Sequence, residues 1–214
     1  MTPQDVITEV RQLVQDTRVP FRYSDTVLVG FVNQTLQRMV LLRPDLFMVV
    51  DDIPVVANEV MQSLPADSYR LVEIYQIKDG GALVEVSREM MDQSDPDWVI
   101  EPPDVPVNYV RHPRNPNKFF LYPRPRVNLT LIGEYVQTPS QVSLNDQIGL
   151  PGAYETSLID GVVYLAQSVD NEHVNTNRAK LFQDSFLQGL GVSLQSRSLT
   201  DSESGAMPPA GGSS

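Results

Sequence analysis

Apolar residues recur at helical spacing near both ends of the chain and alternate with polar ones in its middle. Val6, Val10, Leu13 and Val14 share one stripe of a helix. Thr2 precedes that stripe as an N-cap, Pro3 suits the first helical position, and Asp5 lies where the positive end of the helix favours a carboxylate. This helix is predicted to fade between Asp16 and Arg18, and Pro20 blocks its continuation. A second cap, Ser24-Asp25, introduces Val27, Leu28, Phe31, Val32, Leu36, Met39 and Val40, again spaced by three and four. Pro44 pushes Arg43 out of the α region and ends that helix. Two amphipathic helices joined by a short loop make a helical hairpin.

The period then changes. Val127, Leu129, Leu131 and Tyr135 alternate with Asn128, Thr130 and Glu134, the pattern of a strand with one covered face. The runs "RLVEIYQI" and "ALVEVS" flank Asp79-Gly80-Gly81 and predict a β-hairpin. Phe47 to Val56 and Val60 to Leu64 suggest another strand pair turning at Asn58, with Asp51-Asp52 as an interruption. "SREMMDQSDPDW" reads as a short helix ending before Pro96. Asn115-Pro116-Asn117-Lys118 suits a β-turn, with "VNYVRH" entering and "KFFLY" leaving. Phe119 and Leu121 then point one way and Phe120 and Tyr122 the other, so both faces of this hairpin need cover.

From Leu150 the helical period returns. Tyr154, Leu158, Val162, Leu165, Ala166 and Val169 form a stripe that Ile159 and Val163 widen, which predicts neighbours on two sides. Asp170 or Asn171 can cap a further helix with Leu181, Phe182, Phe186 and Leu190 on its core face, and Gly191 suits its C′ position. Strands grouped in one block indicate an α+β fold. The expected architecture is a four-helix bundle from the N- and C-terminal helix pairs (residues 1–46 and 150–191), with an antiparallel β module inserted at 47–149. Residues 192–214, "VSLQSRSLTDSESGAMPPAGGSS", have the composition of an extended, unstructured tail.

Composition narrows the chemistry. The chain has 214 residues and no Cys, so disulfides, a thiol nucleophile and thiolate metal ligands are excluded. The N-terminus lacks the charged-then-apolar order of a secretory signal, and no apolar run reaches the roughly 20 residues that cross a bilayer. A soluble protein with no membrane contact is expected. There is no G-x-S-x-G elbow, no P-loop and no dinucleotide fingerprint. His112 and His173 are the only histidines; Glu172-His173 sits at a helix start, where capping accounts for it. Asp51-Asp52 and Asp95-Pro-Asp97 read as strand and turn features, not as a catalytic carboxylate pair. The expectation is therefore no enzyme, no cofactor and no metal.

Charge is unevenly placed. The net charge is −11, which opposes general duplex DNA binding. Yet five of the sixteen Lys and Arg residues (Arg111, Arg114, Lys118, Arg124 and Arg126) fall in "RHPRNPNKFFLYPRPR". The segment before it, Asp79 to Asp104, holds eight acids, among them Asp92, Asp95, Asp97, Glu101 and Asp104, against the single base Arg88. Three explanations stand: head-to-tail contact between copies or with another protein, a plain solvated hairpin, or single-stranded nucleic acid stacked on the aromatics between the arginines.

Several stretches carry a resemblance. "YSDTVLVGFVNQTLQRMVLLRPDLF", "DPDW", "RHPRNPNKFFLYPRP", "LPGAYETSLIDGVVYLAQSVDN" and "RAKLFQDSFLQGLG", in that order, resemble the head–tail adaptor (connector) proteins of tailed bacteriophages; Tyr23 stands where Trp is expected. The resemblance spans roughly Thr2 to Gly191 and implies a virion structural protein at the head–tail junction, present in the host cytoplasm during assembly. It implies a ring of twelve copies under the portal that extends the DNA channel and docks a tail or nozzle protein. DNA would pass through without specific binding. It also implies a C-terminal extension that embraces the portal. Candidate portal contacts are then Tyr154, Ile159 and Val163 on the helix, and Ser198, Leu199, Met207 and Pro208 in the tail. Another tail component, such as a terminator or nozzle-associated protein, is the nearest alternative.

Overall fold

In the structure, a computed structural model that describes residues 1–169 and 176–191, helix α1 spans Pro3–Leu13 and α2 spans Asp25–Leu42. The Thr2 hydroxyl accepts from the Asp5 N–H while the Asp5 carboxylate accepts from the Thr2 N–H at 2.7 Å, a reciprocal capping box. Ser24 Oγ accepts from the Val27 N–H and starts α2. The loop between these helices is tied by a residue that the periodicity gave no reason to single out. The buried Arg11 guanidinium donates to Asp16 at 2.8 Å, to Asp25 at 2.7 Å and to the Tyr23 carbonyl. Asp16 also accepts from the N–H groups of Arg22 and Tyr23.

Helices α3 (Arg88–Ser94), α4 (Glu155–Val169) and α5 (Thr176–Gly189) complete the five among the described residues. Helix α4 lies between α1, α2 and α5, so most of its circumference is buried. Both of its apolar sides are therefore used within the chain: Leu158, Val162 and Val163 have no exposure and Ile159 has 6%. Gly161 makes the closest approach possible. A Cβ there would stand 2.5 Å from the Thr35 methyl and 3.0 Å from the Phe186 ring.

On α5, Phe186 and Leu190 join this core and Gly191 has the positive φ of a C′ residue, as expected. Leu181 does not join it; it is 68% exposed, and Ala179 and Leu187 are buried instead. At 3.6 residues per turn, Leu181 lies about 180° around the helix from Leu190. The expected cap at Asp170 or Asn171, and Glu172-His173, lie outside the described residues.

Among the described residues seven strands form two sheets. They are β1 Met48–Val55, β2 Met61–Ser63, β3 Ser68–Ile77, β4 Val84–Glu85, β5 Asn108–Arg111, β6 Lys118–Tyr122 and β7 Leu129–Gln137. One sheet has the order β1-β7-β3 and the other β2-β6-β5-β4. Two expected pairings are corrected. β1 and β2 do not pair: β1 lies along β7 for its whole length and β2 pairs with β6. Between them Asn58, at φ 63°, turns the chain from one sheet to the other. Gln62 braces that turn by bonding the Val56 N–H and the carbonyls of Val56 and Glu59. The Asp-Gly-Gly hairpin closes only beside its turn, where the Ile77 N–H donates to the Gly81 carbonyl and the Leu83 N–H to the Tyr75 carbonyl around the Gln76–Ala82 bridge, before β4 crosses to pair in parallel with β5. The module is thus not wholly antiparallel. Asp51-Asp52 is no interruption either; β1 runs through it, and Asp51 Oδ1 accepts from the Asp52 N–H.

The sheets enclose Ile53, Leu71, Ile74, Leu131 and Tyr135 from one side and Tyr109, Phe119 and Leu121 from the other. A smaller core of Met91, Trp98 and Val110 lies on the far face of the second sheet, where α3 covers it. After β7 the chain returns to the helices. The Gln4 N–H donates to the Leu144 carbonyl at 3.0 Å, Asn33 bonds both backbone groups of Val142, and Ile148 enters the helical core.

Candidate functional site

The basic hairpin forms where the turn chemistry places it. β5 and β6 pair with Arg111 opposite Phe119, and the Lys118 N–H donates to the Asn115 carbonyl at 3.1 Å. Phe119 and Leu121 are buried between the sheets. Phe120 and Tyr122 lie on the other face, edge-on to Trp98 at 5.8 and 6.4 Å. His112 stacks on Phe120 at 5.5 Å. The aromatics are thus occupied by packing within the chain, which removes the stacking platform that a single-strand binder needs.

The segregation of charge along the sequence is partly answered within the fold. Arg111 forks onto both oxygens of Glu85, at 2.7 and 2.9 Å, and its guanidinium also donates to the carbonyls of Leu71 and Val72 on β3. It therefore stitches the two sheets together. The Arg111 hydrogen bonds hold the Glu85 carboxyl below its ordinary value, with Tyr109 adding to the effect. Asp92 pairs with Arg88 at 3.4 Å and accepts from the Trp98 indole at 2.9 Å. Asp95 and Glu101 both approach the Tyr122 hydroxyl, at 3.3 and 3.0 Å, and the phenol is pushed up to about 12, chiefly by the bond to Glu101. Asp97 belongs to the turn after α3, its N–H donating to Asp95 Oδ1. Asp104 is held through its backbone: its N–H donates to the Arg124 carbonyl at 2.9 Å and its own carbonyl accepts from the Arg126 N–H.

The five cations do not form one patch. Arg111 is neutralised by Glu85. Arg114 and Lys118 stand at the hairpin tip, while Arg124 and Arg126 stand at its far end, about 20 Å along the strand at 3.3 Å per residue. At the tip, Arg70, Arg111, His112 and Lys118 line a cleft of about 330 Å³ with Leu71, Val72 and Pro116 as its apolar part. His112 Nδ1 accepts from the N–H groups of Arg114 and Asn115, which places the ring proton on Nε2. Arg70 gave no local signal, because only the contact between β3 and the hairpin brings it here.

The helix residues considered for the portal are engaged within the chain. Ile159 and Val163 are in the helical core and offer no surface. Tyr154 is half-buried, and its hydroxyl accepts from Arg43, whose guanidinium also lies 5.6 Å from the ring centre. Ser198, Leu199, Met207 and Pro208 lie outside the described residues.

Among the described residues no group of three or more His, Asp or Glu is placed to hold a metal ion, and no helix is long and apolar enough to cross a membrane. Among curated proteins none matches the sequence. The family described as SU10 adaptor protein does match, over residues 1–209, through both helical pairs and the β module. The chain belongs to the SU10 adaptor protein family, a family of bacteriophage head–tail adaptors.

Proposed function

We propose that this chain is one subunit of a ring, twelve copies by the resemblance noted above, that joins the portal to the tail. The ring continues the DNA channel, helps retain the packaged genome and lets it leave on ejection. It performs no catalytic step. The observation that carries this reading is the family match over 1–209, which takes in nearly the whole chain and both of its layers.

Physical features support it. The helices α1, α2, α4 and α5 share one core and act as the bundle that gives each subunit a rigid body. An excess of 27 acids over 16 bases suits a passage through which DNA slides without sticking, since repulsion reaches about 8 Å at physiological salt. The portal takes the C-terminal segment with Ser198, Leu199, Met207 and Pro208, and the β module meets the tail or nozzle protein. Electron microscopy of the purified protein, alone and with its portal, tests this. Rings seated under the portal are expected; a chain that stays monomeric in both preparations at high concentration overturns the reading.

A further inference from the structure

The hairpin tip leaves cations that the chain's own acids do not answer. Arg70 and Lys118 line the cleft beside β3, and neither makes an ion pair among the described residues. His112 also lines the cleft, its Nδ1 taken by the Arg114 and Asn115 N–H groups, and Val72 and Pro116 add apolar surface. A cleft with a cationic rim and an apolar floor fits a carboxylate carried beside a small apolar side chain.

The opposite end of the same hairpin carries that combination. In "EPPDVP", Asp104 and Val105 are exposed and are flanked by Pro102, Pro103 and Pro106. Prolines and the two backbone bonds to the Arg124–Arg126 segment hold this loop in place, so little conformational freedom is lost when it docks. The Asp104 carboxylate makes no ion pair among the described residues. Tip and loop stand about 20 Å apart along the strands. One copy therefore cannot fill its own cleft, whereas a neighbour displaced along the hairpin axis can.

We propose that the cleft of Arg70, His112 and Lys118 is a socket for the Asp104–Val105 loop of a second copy of this chain. This inference rests on the ring reading above and names its contact. Such a contact is heterologous, socket on one side and loop on the other, the type that closes into rings. The chain's excess of acid favours a protein carboxylate over a nucleic-acid phosphate as the occupant.

Because the chain has no cysteine, it can be tested by crosslinking. In particles assembled from an equal mixture of Lys118→Cys and Asp104→Cys copies, mild oxidation is expected to give a disulfide-linked dimer. Neither variant alone should give one. Both substitutions in one chain should give a ladder of higher oligomers; a product that stops at the dimer overturns the head-to-tail contact. No crosslink in particles whose rings are visible by electron microscopy overturns the socket and leaves the ring reading standing, and absence of rings from the unsubstituted chain with its portal overturns both. As a second measure, Arg70→Glu with Lys118→Glu should abolish assembly while leaving the circular dichroism unchanged, and adding Asp104→Lys should partly restore it. Binding of a short DNA or RNA oligonucleotide that the same reversal abolishes would overturn the proposal in favour of a phosphate ligand.

Discussion

The helical layer and the β module are held by different means. Around α4 the helices meet through apolar surface, with Leu158, Val162, Val163 and Ala166 sealed from solvent and Gly161 admitting α2 and α5. In the module, two thin sheets share a smaller core, and polar clamps cross between the elements: Arg111 to Glu85 and β3, Tyr122 to Glu101, Trp98 to Asp92. Non-directional packing tolerates charge changes at the surface. Directional clamps near solvent do not, so the module is the part whose geometry responds to its surroundings.

The largest test of this contrast lies where the helical layer depends on a buried ion pair, Arg11 with Asp16. Arg11→Ala leaves Asp16 buried without its cation and should cost about 3–5 kcal/mol, read from urea unfolding. A loss below about 1 kcal/mol would mean that the loop's backbone bonds suffice. Next, Leu158→Ala should cost about 2–5 kcal/mol through lost burial and a residual cavity. Leu181→Ala on the exposed face of α5 should stay within about 0.5 kcal/mol. Equal effects would contradict the assignment of faces on these helices.

A smaller effect is expected from Arg111→Lys, which keeps the charge but loses the fork onto Glu85 and β3. A loss of about 1–3 kcal/mol should appear in the fluorescence of Trp98, the only tryptophan, which sits in the module. The smallest concerns pH. Arg111 depresses the Glu85 carboxyl below its ordinary value of 4.5, so its contribution is present above that value. It is lost as pH falls from there through the lower folded value. Acid should therefore weaken the signal from Trp98 before the helical circular dichroism signal, and Glu85→Gln should remove that difference. Simultaneous loss of both signals in the native chain would show the two regions to be one cooperative unit.

Legibility in the sequence follows the same division. The Thr2 and Ser24 caps, the stop at Arg43 and the Asn115–Lys118 turn are all present, because each is decided within a few residues. The pairing of β1 with β7 was not legible. Their partners lie about eighty residues apart, and alternation reports that a face is covered without saying what covers it. Arg70 and Arg11 were missed for a related reason: a cation's role depends on which carboxylate or carbonyl the fold brings to it. Leu181 is different. Its angle from Leu190 was available from the helical period alone.

From the sequence alone came the five helices' approximate positions, the existence of a basic hairpin, the α+β class and the resemblance to phage adaptors. Local sterics, capping and periodicity act over a few residues and survive any tertiary arrangement. The fold alone decided that the basic segment is two separated ends, that Glu85, Asp92, Asp95 and Glu101 are tied up within the same subunit, and that Arg70 joins Lys118 in an open cleft. Pairing between distant strands sets those neighbours, and electrostatic meaning comes only with neighbours.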